Sequence, residues 1–259
     1  MKILKIGSTG SDVKRLQLYL GIKADGNFGP GTLKSVKDFQ GSEADGIVGL
    51  NTWLSLYRRF REGGSSISWS DYDFVSYLIG CEIRALRAVK QVETGGNSGF
   101  LKSGKPTILF EGHIFWNQLK KSGDDPKKYI SGNSDILFPS YDRFSYKGGE
   151  KEWDRLNRAI QINKEIALSS ASWGMFQILG LNWKSCGCSD VLDFSNKMST
   201  SQFEQLLLSA LFIMSSKKIV TALVNKDWIS FAKLYNGPGY ATNQYDKKLE
   251  KAYKDGIFS

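Results

Sequence analysis

The chain has 259 residues and a formal charge of +9, from 35 Lys and Arg against 26 Asp and Glu. Its composition is that of an ordinary globular protein with room for one large domain, or a small and a medium one, and no apolar run approaches the roughly 18–20 residues needed to span a bilayer. Three cysteines, Cys81, Cys186 and Cys188, are too few and too odd in number for a disulfide framework, and the single histidine, His113, rules out a zinc site built on two histidines.

The basic balance suits an anionic partner. Nucleic acid is not expected, because neither a basic helix with base-reading polar residues nor an aromatic-basic motif is present. Cys186-Gly-Cys188 has the wrong spacing for a redox CxxC pair. Neither a metal nor another cofactor is expected. The apolar stretch in MKILKIGSTGSD is far too short for a secretory signal, so a route out of the cytoplasm other than a signal peptide is expected.

Along the chain, the first element is an amphipathic helix capped by Ser11 or Asp12, carrying Val13, Leu16 and Leu20 inward. ADGNFGPGT (24–32) then returns as ADGIVGLNT (44–52), an internal repeat. Asp25-Gly26 and Asp45-Gly46 supply turn chemistry. Gly29 and Gly49 each open a helix, with Pro30 favourable at the first position of the earlier one. These second and third helices offer Leu33, Val36 and Phe39, then Trp53, Leu56, Tyr57 and Phe60. Residues 1–62 thus read as a small three-helix bundle, and the Gly/Ser-rich stretch 63–70 as a linker to a second domain over 71–259.

In that second domain, CEIRALRAVKQVETGG places Leu86, Val89 and Glu93 on one helical face before Gly95 and Gly96 end the helix. A carboxyl group so placed is partly buried and sits at the negative end of a helix dipole. Both effects disfavour its charge and predict a raised pKa. Such a group can give a proton to a leaving oxygen. The alternative is a helix-end glutamate that turns to water.

Four segments put Glu93 in context: VETGGNSGF, KPTILFEGHIFW (105–116), SASWGMFQILGLNW (170–183) and FAKLYNGPGY (231–240). In this order they resemble the lysozyme-like superfamily, most closely the N-acetylmuramidase domain of modular phage endolysins. Likewise GSTGSDVKRLQLYL, DGNFGPGTLKSVKDFQ and DGIVGLNTW resemble the peptidoglycan-binding domain family. The two resemblances cover nearly the whole chain. They imply a mainly α protein: a three-helix wall-binding bundle linked to a larger lysozyme-like α domain with a short β element. They also imply that Glu93 is the general acid. In the bundle, Asp25, Gly26, Asp45, Gly46 and Trp53 are candidate wall contacts, although the Asp-Gly pairs also serve as turn formers.

The same resemblance aligns Ser172, Gln177, Asn182, Tyr235 and Asn236 with the sugar cleft, where their polar groups suit hydroxyl and acetamido recognition. Trp173 and Phe176 offer flat apolar surfaces that read as core, the alternative being packing against sugar C–H faces. Glu111, a carboxylate inside ILFEGHIFW, is the candidate second catalytic group, or else half of a buried ion pair with an arginine or His113. If the segment is extended, His113 shares its face. Asp142, Glu150, Glu152 and Asp154 read mostly as a solvated face, with one of them the alternative to Glu111 as the partner carboxylate.

The expected activity is cleavage of the β-1,4 bond between N-acetylmuramic acid and N-acetylglucosamine by a monomeric endolysin. It would be made in the bacterial host cytoplasm and reach peptidoglycan after membrane permeabilisation, with no stable membrane insertion of its own. A lytic transglycosylase giving 1,6-anhydro products and a non-catalytic peptidoglycan-binding protein are the alternatives.

Overall fold

The computed structural model describes residues 1–62, 64, 66–95, 98–237 and 240–256. Gly96, expected to share the helix stop with Gly95, lies outside these residues. So do Asn97, Gly63 and Ser65 of the linker, and Pro238 and Gly239 of the late motif. The chain divides into two compact units, Met1–Gly63 and Gly64–Ser259.

The first unit contains α1 (Ser11–Leu20), α2 (Pro30–Gln40) and α3 (Leu50–Phe60). Neither Ser11 nor Asp12 caps α1. Gly10 holds that place at φ 110°, with no side-chain cap. The start is set by backbone, since Gly10 N–H donates to the Gly26 carbonyl at 2.9 Å. The repeat is built on two glutamines. Gln17 Nε2 donates to Asp25 Oδ1 (2.8 Å), the Asn27 carbonyl and Thr32 Oγ1, while Gly26 N–H donates to Gln17 Oε1. Gln40 repeats the scheme with Asp45 (2.9 Å), the Ile47 carbonyl, Thr52 and Gly46 N–H.

Asp25 and Asp45 also accept from Asn27 and Ile47 N–H, which holds both carboxyls below their usual range, with the Gln17 and Gln40 amides second. Gly26 and Gly46 adopt φ 81° and 71°, the conformation that glycine alone takes freely. Trp53 is corrected from a candidate wall contact to a core residue. It is completely buried, with Tyr19 packed edge-on at 6.0 Å. Val13, Leu16, Val36, Val48, Leu56 and Tyr57 complete this core. Leu20, Leu33 and Phe39 are only partly covered and Phe60 is exposed, because three short helices leave their outer residues at the rim.

The second unit begins earlier than the linker reading placed it. α4 (Trp69–Ile79) starts inside 63–70, because Ser68 and Asp71 form a reciprocal capping box. α5 (Ile83–Thr94) follows, then β1 (Ile108–Phe110), α6 (Gly112–Lys121), α7 (Glu150–Ile162) and α8 (Lys164–Ser169). β2 (Ala171–Trp173) and β3 (Ile178–Leu179) complete an antiparallel sheet in the order β1-β2-β3, with Ile108 opposite Trp173 and Ser172 opposite Leu179. The rest is α9 (Val191–Met198), α10 (Gln202–Met214), α11 (Lys217–Asn225), α12 (Trp228–Asn236) and α13 (Tyr245–Asp255). α10 is the core helix, with Phe203, Leu206, Leu207, Leu208, Ala210 and Ile213 all buried. No single helix among the described residues is long and apolar enough to cross a membrane.

Two buried polar devices hold the sheet in place. β1 is an edge strand whose unpaired groups need partners. Phe110 N–H donates to Glu152 Oε2 at 3.0 Å, and Arg155 Nη1 donates to the Phe110 carbonyl at 2.9 Å. Glu152 and Arg155 are themselves paired at 2.7 Å and fully buried, so Glu152 is corrected from solvated face to interior. The second device is Gln205 of α10. Its Oε1 accepts from Met175 N–H, and its Nε2 donates to the Gly99 and Met198 carbonyls. A Cβ at Gly99 or Gly174 would collide with this amide.

Candidate active site

Glu93 lies in the last turn of α5, and Gly95 closes the helix in the left-handed conformation at φ 57°. Leu86 and Val89, on the same stripe, are fully buried. The stripe therefore carries the carboxyl to the edge of the core rather than into water. Burial pushes its pKa up to about 7, opposed by one hydrogen bond, from Asn236 Nδ2 to Glu93 Oε1 at 2.8 Å. Asn236 Oδ1 is buried and has no hydrogen bond among the described residues.

Glu93 opens on a groove of about 1010 Å3. The groove is also lined by Glu111, Ser172, Gln177, Asn182, Tyr235 and Asn236, so one surface collects the catalytic and sugar-cleft candidates. Each arrives by simple geometry. Ser172 is the middle residue of β2, and strand alternation sends Ala171 and Trp173 into the core and Ser172 to the other side. Gln177 is held at φ 47° after the Gly174 turn, its amide donating to the Gly174 carbonyl at 2.8 Å. Tyr235 and Asn236 end α12. The Tyr235 hydroxyl donates to the Phe176 carbonyl at 3.3 Å, and its ring stacks on Phe231. Trp173 and Phe176 are buried as expected, though Phe176 also contributes to the groove wall.

Glu111 follows β1 and holds the N-cap position of α6, with its N–H bonded to the Ser170 carbonyl at 2.9 Å. The segment is not extended beyond it, because residues 112–121 are helical. His113 still reaches back, with Nδ1 3.6 Å from Glu111 Oε2. Burial raises the Glu111 pKa. A short hydrogen bond from the Tyr146 hydroxyl and the nearby Arg155 charge oppose it, and Glu152 adds to it. Burial also lowers the pKa of His113, favouring the neutral ring. The arginine expected against Glu111 is paired directly with Glu152 and acts on Glu111 only through its field.

Several groove residues escaped sequence reasoning: Leu109, Tyr141, Tyr146, Phe212, Asn243 and Tyr245. Tyr245 opens α13, and its hydroxyl pKa is raised by burial and then by Glu93. For Tyr146 the one available signal was its place among aromatic residues in a polar stretch, RFSYKGGEKEWDRL, which spacing alone could not place; Tyr141 lies just ahead of that stretch. Cys186 and Cys188 are buried thiols, with pKa values pushed up by burial.

A carboxyl whose pKa is pushed up to about 7, sharing a groove of about 1010 Å3 with a second carboxylate, suits glycoside hydrolysis. The N-acetylmuramidase family model matches residues 82–256, and the putative peptidoglycan-binding domain model matches residues 9–56. The chain belongs to the N-acetylmuramidase family. It is similar to the crystal structure of the Burkholderia AP3 phage endolysin, with 36% identity, a TM-score of 0.67, and 98% of this chain and 99% of that chain covered. An uncharacterized protein of the bpoA1 3' region of Kitasatospora aureofaciens is 37% identical over 75 residues. That match covers 25% of this chain and 64% of the relative, under two thirds of its length.

Proposed function

We propose that this protein is a modular endolysin that cleaves the β-1,4 bond between N-acetylmuramic acid and N-acetylglucosamine in peptidoglycan. Glu93 protonates the glycosidic oxygen as the bond breaks through an oxocarbenium-like transition state. Glu111 is the second group, acting on the sugar carbon directly or through a water. The contrast between the two environments supports this division. Against burial, Glu93 has only a neutral amide, whereas Glu111 has the Tyr146 hydroxyl and the Arg155 charge to favour ionisation. Ser172, Gln177, Asn182, Tyr235 and Asn236 bind hydroxyl and acetamido groups.

The N-terminal module, residues 1–62, holds the enzyme on the wall, and the catalytic domain follows a short linker. The module's turn residues Asp25, Gly26, Asp45 and Gly46 shape its loops, and contact to glycan falls to the surface those loops present. The protein acts as a monomer without inserting into the membrane. It is made in the host cytoplasm and reaches its substrate after another agent permeabilises the membrane.

The observation that carries the reading is a carboxyl with pKa about 7 facing a groove of about 1010 Å3 that also holds a second carboxylate, Glu111. The test is mass spectrometry of digests of purified peptidoglycan, wild type beside Glu93→Gln. New reducing ends formed with water are expected from wild type and none from the variant. 1,6-Anhydromuramic acid in the digest would identify a transglycosylase instead, and wild-type clearing by Glu93→Gln would remove Glu93 from the chemistry.

A further inference from the structure

The segment 138–146 is fastened to three successive residues of the catalytic region. The Phe138 ring packs so closely on Gly112 that a Cβ there would come within 2.4 Å of it. The Tyr146 hydroxyl donates to the Glu111 carboxylate. Between these anchors, Tyr141 meets the His113 ring edge-to-face, with centroids 5.5 Å apart and planes at 89°. His113 in turn stacks on Phe138 at 6.4 Å and 25°. The turn is fixed further by the Asp142 carboxylate accepting from Phe144 N–H at 2.9 Å and by Ser145 Oγ donating to the Asp142 carbonyl at 2.8 Å.

This bracing leads to an exposed ring. Tyr141 lines the groove yet keeps 65% of its surface in water. A large aromatic held in one orientation and left uncovered is not explained by core packing, which would bury it. It does suit a ligand with a flat apolar face and a polar rim. The contact with His113 restricts the ring in the free protein, so less ordering is lost on binding. A pyranose ring has such a face in its axial C–H groups, and the groove already leads to the two carboxylates.

We propose that Tyr141 is a stacking platform for a sugar ring of the glycan on the Glu111 side of the groove, with His113 as the positioning residue that holds it. The assignment rests on the glycan-cleaving reading above. It also gives the lone histidine a role that needs no proton transfer.

The test measures binding of a soluble tetrasaccharide of alternating N-acetylglucosamine and N-acetylmuramic acid by calorimetry, in the inactive Glu93→Gln background. Tyr141→Ala is expected to weaken binding about 10-fold, the loss of one stacked ring, while Tyr141→Phe and Tyr141→Trp retain most of the affinity. His113→Ala should weaken binding in the presence of Tyr141 and add little in its absence, as a double-mutant cycle reads it. In the active enzyme the Tyr141→Ala loss should appear in KM rather than kcat. Unchanged affinity in Tyr141→Ala, or a Tyr141→Phe loss equal to that of Ala, overturns the platform. A wild-type enzyme that releases no reducing ends while Tyr141-dependent binding persists would overturn the hydrolase reading and leave the sugar subsite standing.

Discussion

Asn236 Nδ2 donates to Glu93 Oε1 at 2.8 Å, joining the end of α12 to the end of α5 across 143 residues of chain. Among the described residues this bond is what opposes burial at Glu93, so it limits how far the acid's pKa rises. Asn236→Ala removes a donor that favours the charged form, which raises the Glu93 pKa further. In a pH profile of kcat/KM, the alkaline limb is expected to move to higher pH, with activity reduced about 10-fold by lost positioning. A limb that stays in place or moves down would show that the amide does not tune the acid.

The same carboxyl links pH to stability. Its folded pKa of about 7 exceeds the ordinary 4.5, so the folded state binds the proton more tightly. The associated stability is fully present below about pH 4.5 and is lost as pH rises through about 7. Glu93→Gln, which never ionises, should therefore be more stable than wild type above neutral pH, by about 3 kcal/mol. The difference should vanish in acid. Denaturant titrations at pH 4 and pH 8 compare the two.

The Glu152–Arg155 pair is expected to be the most sensitive point of the catalytic unit. Both side chains are fully buried and both satisfy the backbone of β1. Arg155→Met leaves a buried carboxylate without its partner and should cost about 3–5 kcal/mol. It also removes a charge that favours ionised Glu111, so the Glu111 pKa should rise. Thermal melting reads the first effect, and the acid limb of the activity profile reads the second.

The two glutamine networks offer an internal comparison. Gln17 and Gln40 make the same bonds, but Gln17 is buried and Gln40 only partly so. Water can replace lost bonds at Gln40 and not at Gln17. Gln17→Ala should destabilise the first unit by about 2–3 kcal/mol, and Gln40→Ala by about 1 kcal/mol. Hydrogen exchange at the Gly26 and Gly46 amides, each bonded to one glutamine, resolves the two.

Much of this was legible because helices are local. The spacing of Leu86, Val89 and Glu93 with the following Gly95 was enough to predict a helix-end acid, and the DG repeat was enough to predict paired turns. Trp53 was readable as an inward residue by the same spacing, yet its candidacy as a wall contact needed burial to correct it. The linker end was misplaced because the Ser68–Asp71 capping box lies inside a Ser-rich stretch that composition reads as loop. Gln17, Gln40 and Gln205 gave no signal, since an isolated glutamine on a helix looks like a solvated one until its partners arrive from elsewhere.

The sequence by itself determined the two-part organisation, the helical character and the place of Glu93 at a helix end beside the core. All three follow from periodicity, turn residues and motifs within a short reach of chain. Only the tertiary structure decided that Glu152 is interior, that Arg155 belongs to it rather than to Glu111, and that Tyr141 and Tyr146 flank the groove. Those outcomes depend on contacts between segments tens of residues apart, and burial, which fixes whether a charge or a ring is costly or useful, exists only once such segments meet.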